Sequence, residues 1–150
     1  MYPVAGLKKI CIYVPIWYYE LHRVVQHGEV IMLKEKISSF IEKIKSIDGV
    51  AACALVSRDG IISGKFFDRE LNEPWFGALS ATILASAESA GSIIRMKSLD
   101  SVTLRGDGSS ILVMGAGEHF LLAAILKENA DTGNVHDEML AIAKKISQVM

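Results

Sequence analysis

One stretch constrains this chain more than any other: residues 72–96, NEPWFGALSATILASAESAGSIIRM. Asn72 is suited to cap a helix, and Pro74 to its first turn, where an N–H has no intrahelical partner to lose. Beyond Phe76 the stretch is mostly Gly, Ala, Ser, Ile and Leu, and between Trp75 and Ile94 the sole ionisable residue is Glu88. A surface helix carries an apolar stripe and a charged face. This one has no charged face. It predicts a helix covered on two sides, by its own sheet on one and by a partner on the other.

The rest of the composition fits a globular chain. Its 150 residues are enough for one domain with a real core. A formal net charge of -1 makes no electrostatic case for nucleic acid or for an anionic membrane surface. Cys11 and Cys53 are too far apart for a metal or redox motif. Cys53 sits in an apolar strand pattern and reads as a buried thiol. Nothing calls for an oxidising compartment, and a cytoplasmic location is expected.

Residues 1–31 stand apart from residues 32–150. Lys8-Lys9 precede the apolar run 10–19, ICIYVPIWYY, in the manner of a signal peptide. Pro15 interrupts the run, no small-residue cleavage site comes after it, and the run is too short to span a membrane. Gly28-Glu29-Val30-Ile31 can be encoded by GGN GAR GTN ATH, which can hold a purine-rich ribosome-binding sequence just ahead of Met32. Translation from Met32, with residues 1–31 as upstream DNA read in frame, is one reading of this segment; a true N-terminal extension is the other. His22 and His27 lack an acidic or cysteine partner and read as solvated.

From Met32 to Ile47 the pattern is an amphipathic helix, with Leu33, Ile37, Phe40, Ile41 and Ile44 on one face and Asp48-Gly49 ending it. Residues 50–57 and 61–67 read as a hairpin turning at Arg58-Asp59-Gly60, with Gly64 marking a bulge or a close backbone approach. After the central helix come strands at 101–105, 111–114 and 119–126, separated by Gly106-Asp107-Gly108 and Gly115-Ala116-Gly117. The last helix is predicted from an Asn134 cap, with Val135, Met139, Ile142, Ala143, Ile146 and Met150 facing inward. The order helix-strand-strand-helix-strand-strand-strand-helix makes an α/β fold, a three-layer α-β-α sandwich on a five-stranded antiparallel sheet.

Catalysis finds little support. No nucleophile motif is present, and His119 and His136 have no sequence neighbours suited to nucleophilic or metal work. The acidic residues are dispersed. The G-x-G pieces at 105–110 and 115–118 lack the strand-before, helix-after context of a phosphate loop; a strand comes after each, so hairpin turns account for the glycines. No catalytic, metal or cofactor-binding residue is expected. Partner binding is better supported. If strand 101–105 lies at the sheet edge, its unpaired backbone and the uncovered helix can be met together by a second copy across a two-fold axis. Glu88 is expected at the rim or paired, with Arg95 or Arg105 as candidates.

The ordered series of pieces resembles a family. Ile47-Asp48-Gly49-Val50 closes the first helix; next come the hairpin 54–61, ALVSRDGI, the Ala/Ser-rich helix, the strand 101–105, Ile111-Leu112-Val113-Met114-Gly115, Phe120-Leu121-Leu122-Ala123, and Thr132-Gly133-Asn134-Val135. Residues 32–150 are in this respect similar to a roadblock/dynein light-chain domain of the prokaryotic type. The resemblance implies a profilin-like fold and a homodimer. In that dimer the third strands pair into a ten-stranded sheet and the second helices lie side by side. It implies a non-enzymatic adaptor or scaffold for a small Ras-like GTPase. With helix 72–96 and strand 101–105 as the seam, the expected interface residues are Ala78, Ala81, Ala85, Glu88, Val102, Leu104 and Arg105. A small-molecule sensor of profilin-like or PAS-like type is the alternative.

Overall fold

The structure is a computed structural model that describes residues 16–150, with side chains described from residue 31 onward. The readings of Lys8-Lys9, Cys11 and Pro15, and those of the His22 and His27 side chains, lie outside the described residues. Two units are distinguished, one ending at Glu35 and a folded domain of Lys36–Met150.

The first helix, α1, runs Ile16–Lys45, so it begins well before the expected Met32. Residues 16–45 contain no proline, and a single glycine, Gly28, costs a helix only about 1 kcal/mol, too little to break it. Within the folded domain, Ile37, Phe40, Ile41 and Ile44 are buried as the spacing predicts; Leu33, in the other unit, is exposed.

The sheet is built from β1 (Val50–Ser57), β2 (Ile62–Phe67), β3 (Val102–Arg105), β4 (Ser109–Ala116) and β5 (Phe120–Lys127). Every pairing is antiparallel and the spatial order is β2-β1-β5-β4-β3. Strands β1, β5 and β4 therefore lie inside the sheet, covered on both faces. That is why β1 and β5 read as nearly unbroken apolar runs instead of alternating ones. Gly64 serves both of its predicted roles. The ladder shifts register where Leu55 pairs with Gly64 and Val56 with Ile62, and a Cβ on Gly64 would sit 2.4 Å from Ile37 Cγ2.

Side chains alternate across the sheet into two cores. On one face Cys53, Leu55, Leu112, Met114, Leu122, Ala124 and Leu126 meet α1 and the last helix, α3 (Thr132–Val149), through Ile44, Met139 and Ile146. On the other face Ala54, Val56, Val113, Leu121 and Ala123 meet Leu84 of the central helix, α2 (Glu73–Ile93). The layers are thus α1/α3, sheet, α2. The predicted inward residues of α3 are buried, with Met150 packed at the margin. Its cap differs: Asp131, not Asn134, caps the helix by accepting the Asn134 N–H at 3.2 Å. An Asx residue three positions ahead of a free N–H is the geometry an N-cap needs, and Asp131 stands first in line.

Candidate functional site

Helix α2 starts as its sequence predicts. The Asn72 side chain accepts from Trp75 N–H at 3.2 Å, and Pro74 sits in the first turn. Its end is a Schellman turn. Arg95 N–H donates to Ser92 O and Met96 N–H to Gly91 O, with Arg95 in the left-handed region at φ 57°. The helical residues therefore stop at Ile93, short of the expected Met96.

One face of α2 lies very close to its own domain. A Cβ on Gly77 would stand 2.4 Å from Gly60 O in the β1–β2 turn, so α2 rests directly on that turn's backbone. Gly60 itself has φ +90°, which a residue with a side chain resists. Gly77, Ser80, Leu84 and Gly91 are buried along this face. The opposite face is open. Trp75, Leu79, Ile93 and Ile94 are between 51% and 82% exposed, and Ala78, Thr82, Ala85, Ser86, Ser89 and Ala90 are exposed between them. From Trp75 to Ile93 this apolar and small-residue strip runs about 27 Å at 1.5 Å per residue. The sole charge along it is Glu88.

Beside this helix lies a free sheet edge. β3 bonds to β4 on one side, and among the described residues nothing pairs with its other side. Val102 packs at the α2-side core. Leu104 is two residues on, on the same face of the sheet, and is an exposed large apolar residue.

The seven expected interface residues divide accordingly. Ala78, Ala85, Glu88, Leu104 and Arg105 are exposed, and Val102 is half-buried. Ala81 is half-buried against its own sheet. Ala78 is exposed at its side chain while its backbone backs onto Gly60.

Glu88 is paired, though not with Arg95 or Arg105. Arg58 Nη1 donates to Glu88 Oε1 at 2.5 Å and Nη2 to Gly117 O at 2.9 Å. The Arg58 N–H also donates to His119 O, so one residue ties the β1–β2 turn, the β4–β5 turn and α2 together. Gly115 makes room for this guanidinium: a Cβ there would lie 2.9 Å from Nη2. The buried Arg58 Nε has no partner among the described residues. Glu88 and Arg58 line a cleft of about 380 Å³ with Gly91, Met96, Lys97 and Leu99. Arg58 was unreadable in this role from sequence, because its partners are 30 and 59 residues away.

Elsewhere among the described residues three titratable groups are shifted, Cys53 and the paired Asp68 and Arg69, and none suggests a reactive centre. Burial pushes the Cys53 thiol up from 9.0 to about 11, so it is inert at neutral pH. The Arg69 hydrogen bond lowers the exposed Asp68 carboxyl. Among the described residues no three His, Cys, Asp or Glu side chains gather as a metal site would require, and no described helix is long and apolar enough to cross a membrane.

Comparison with known proteins places this geometry. Residues 37–126, more than half of the chain, match the Roadblock/LC7 domain. No curated protein sequence matches. Among solved structures, the gliding protein MglB from Thermus thermophilus superposes with a TM-score of 0.70 at 18% identity, covering 77% of this chain and 88% of MglB. A Roadblock/LC7 domain from Streptomyces avermitilis gives 0.64 at 20% identity, covering 75% and 93%. Profilin II from Acanthamoeba castellanii gives 0.56 at 14%, covering 75% and 97%. At these identities the likeness is one of fold: three helices on a five-stranded antiparallel sheet, in the profilin-like arrangement.

Proposed function

The chain belongs to the Roadblock/LC7 domain family, and on that premise we propose that it is a homodimeric, non-enzymatic adaptor that regulates a small Ras-like GTPase in the cytoplasm. The observation that carries the reading is the outward strip of α2, uncharged but for Glu88, beside the unpaired edge of β3. A monomer leaves this apolar surface in water, and a surface of this kind marks an interaction site. A second copy related by a two-fold axis supplies a matching helix and a matching edge at once. Such a dimer needs no catalytic side chain of its own. It regulates by binding one conformation of a GTPase switch loop more tightly than another, which shifts the population toward that conformation.

The alternative, a small-molecule sensor, would use the cleft beside Arg58. Both terminal nitrogens of that guanidinium are already bonded, to Glu88 and Gly117, which leaves the cleft fewer free donors for a ligand.

Two measurements test the proposal. Leu104→Asp places a charge where the second copy's edge would lie, and light scattering is expected to show a folded monomer where the parent is a dimer. A parent protein that is monomeric at micromolar concentration overturns the dimer. GTP hydrolysis by purified Ras-like GTPases from the same genome is then measured with and without the dimer. Unchanged turnover together with no binding removes the GTPase role, whereas binding with unchanged turnover leaves a scaffold.

A further inference from the structure

Strand β3 offers its free edge in a defined pattern. Gly106 N–H donates to Ser109 O at the foot of the β3–β4 hairpin. From there the register runs Arg105↔Ser110, Leu104↔Ile111, Thr103↔Leu112 and Val102↔Val113. In an antiparallel ladder, bonded and non-bonded pairs alternate. The bonded Gly106–Ser109 pair therefore makes Leu104 and Val102 the residues that bond inward to β4. Thr103 and Arg105, with Ser101 just ahead of the strand, turn their N–H and C=O groups to the free edge. Side chains alternate as well. Val102 and Leu104 stand on the α2 face, where Val102 packs at the core, and Thr103 and Arg105 stand on the other. Thr103 and Leu104 are both exposed.

The sheet's other edge is less fit for a partner strand. β2 slips register with β1 between Leu55 and Val56, and Lys65, paired with Glu73, stands within it, both of which deter edge pairing. β3 pairs with β4 residue for residue. A two-fold dimer through β3 has few registers to choose from. An axis normal to the sheet keeps α2 on the same side in both copies. Directly opposed residues share a face, so the axis must pass through a residue that meets its own copy. An axis at Val102 sets Leu104 opposite Asp100. One at Leu104 sets Val102 opposite Gly106, and one at Arg105 opposes like charges. An axis at Thr103 sets Val102 opposite Leu104 on both sides of it, so that each exposed leucine is covered by a valine. It also sets every edge-facing residue opposite another, Thr103 against Thr103 and Ser101 against Arg105.

We infer that Thr103 lies on the two-fold axis of the dimer and exchanges both of its backbone hydrogen bonds with Thr103 of the second copy. Val102 of each copy packs on Leu104 of the other across the α2 face, and Ser101 bonds Arg105 at either end. Threonine suits the axis, since its branched side chain favours strands and Thr–Thr pairs are favourable across them. This inference rests on the dimer reading above and adds the register to it.

Cysteine crosslinking in the full chain tests the register, with the parent, which keeps Cys11 and Cys53, as the control. Thr103→Cys is expected to give a covalent dimer under mild oxidation, because Cα atoms about 5.5 Å apart across the axis are within disulfide reach. Leu104→Cys alone is expected to crosslink far less, since its own copy lies diagonally at about 7–8 Å, whereas an equimolar mixture of Val102→Cys and Leu104→Cys crosslinks readily. Thr103→Pro removes an N–H that β4 does not use, so the far-UV spectrum is kept while the dimer dissociation constant rises on the order of a hundredfold. Leu104→Cys crosslinking as readily as Thr103→Cys, or a folded Thr103→Pro with the parent's dissociation constant, overturns the register. A monomeric parent overturns the dimer reading itself; a dimeric parent whose Thr103→Cys variant does not crosslink overturns the register alone.

Discussion

The two faces of the sheet are built on different plans. The α1/α3 face is filled with large side chains, among them Ile44, Leu55, Met114, Leu122, Met139 and Ile146, all fully buried. The α2 face sets alanines at 54 and 123 among Val56, Val113 and Leu121 in the sheet, and buries glycine and serine in the helix, with Leu84 as its one large fully buried helical residue. The first face is finished within the domain. On the second, small residues bring the helix down onto the sheet, and its outer side keeps apolar groups that the domain does not cover. A helix packed down through glycine and serine, with apolar groups on its outer side, leaves a surface that a second molecule can cover.

That contrast can be broken in several places. Leu122→Ala hollows the closed face, where the fixed helices cannot fully collapse, and a loss on the order of 4 kcal/mol is expected in urea unfolding. A loss below about 1 kcal/mol would show the closed core to be loosely packed. Cys53, on the same face of β1, tests it by pH. Its thiol titrates near 9 when unfolded and about 11 when folded. The folded state therefore holds the proton more tightly. The thiol's share of stability is complete below pH 9, falls between pH 9 and 11, and reaches a loss of roughly 3 kcal/mol once both states are ionised. The difference between the parent and Cys53→Ala across that window isolates this from other alkaline titrations. On the α2 face, Gly77→Ala drives a methyl against Gly60 O, and the helix must lift; a loss of about 2 kcal/mol is expected. The smallest effect on folding is the most telling. Ala85→Glu lies on the outward strip and should change monomer stability by no more than about 0.5 kcal/mol, while abolishing the dimer in light scattering. If Ala85→Glu stays dimeric, the strip is not the seam. Ala81→Glu cannot serve as a second probe of the seam, because Ala81 packs against its own core and its loss would mix unfolding with dissociation.

Much of this was legible in the chain itself. Element order, the inward faces of α1 and α3, the Asn72 cap and the antiparallel meander come from periodicities and turn residues that act within a few positions. The departures all involve choices local pattern does not decide. Asp131 and Asn134 are both competent caps, and which one is used depends on where the loop from β5 delivers the chain. Glu88 has two arginines near it in sequence, Arg95 and Arg105, yet the fold brings Arg58 to it across the β1–β2 turn. Helix α1 runs past Met32 because weak local signals neither favour nor forbid it.

The sequence by itself determined that α2 has no charged face, because an uncharged run is visible without knowing what surrounds it. It also determined the five strands, since strand and turn chemistry are local. Only the tertiary structure decided that β3 is an edge and that Ala81 faces inward while Ala85 faces out. Those facts depend on strand order and on contacts between residues far apart in the chain. Such contacts are selected by the packing of the whole domain, and no window of sequence contains them.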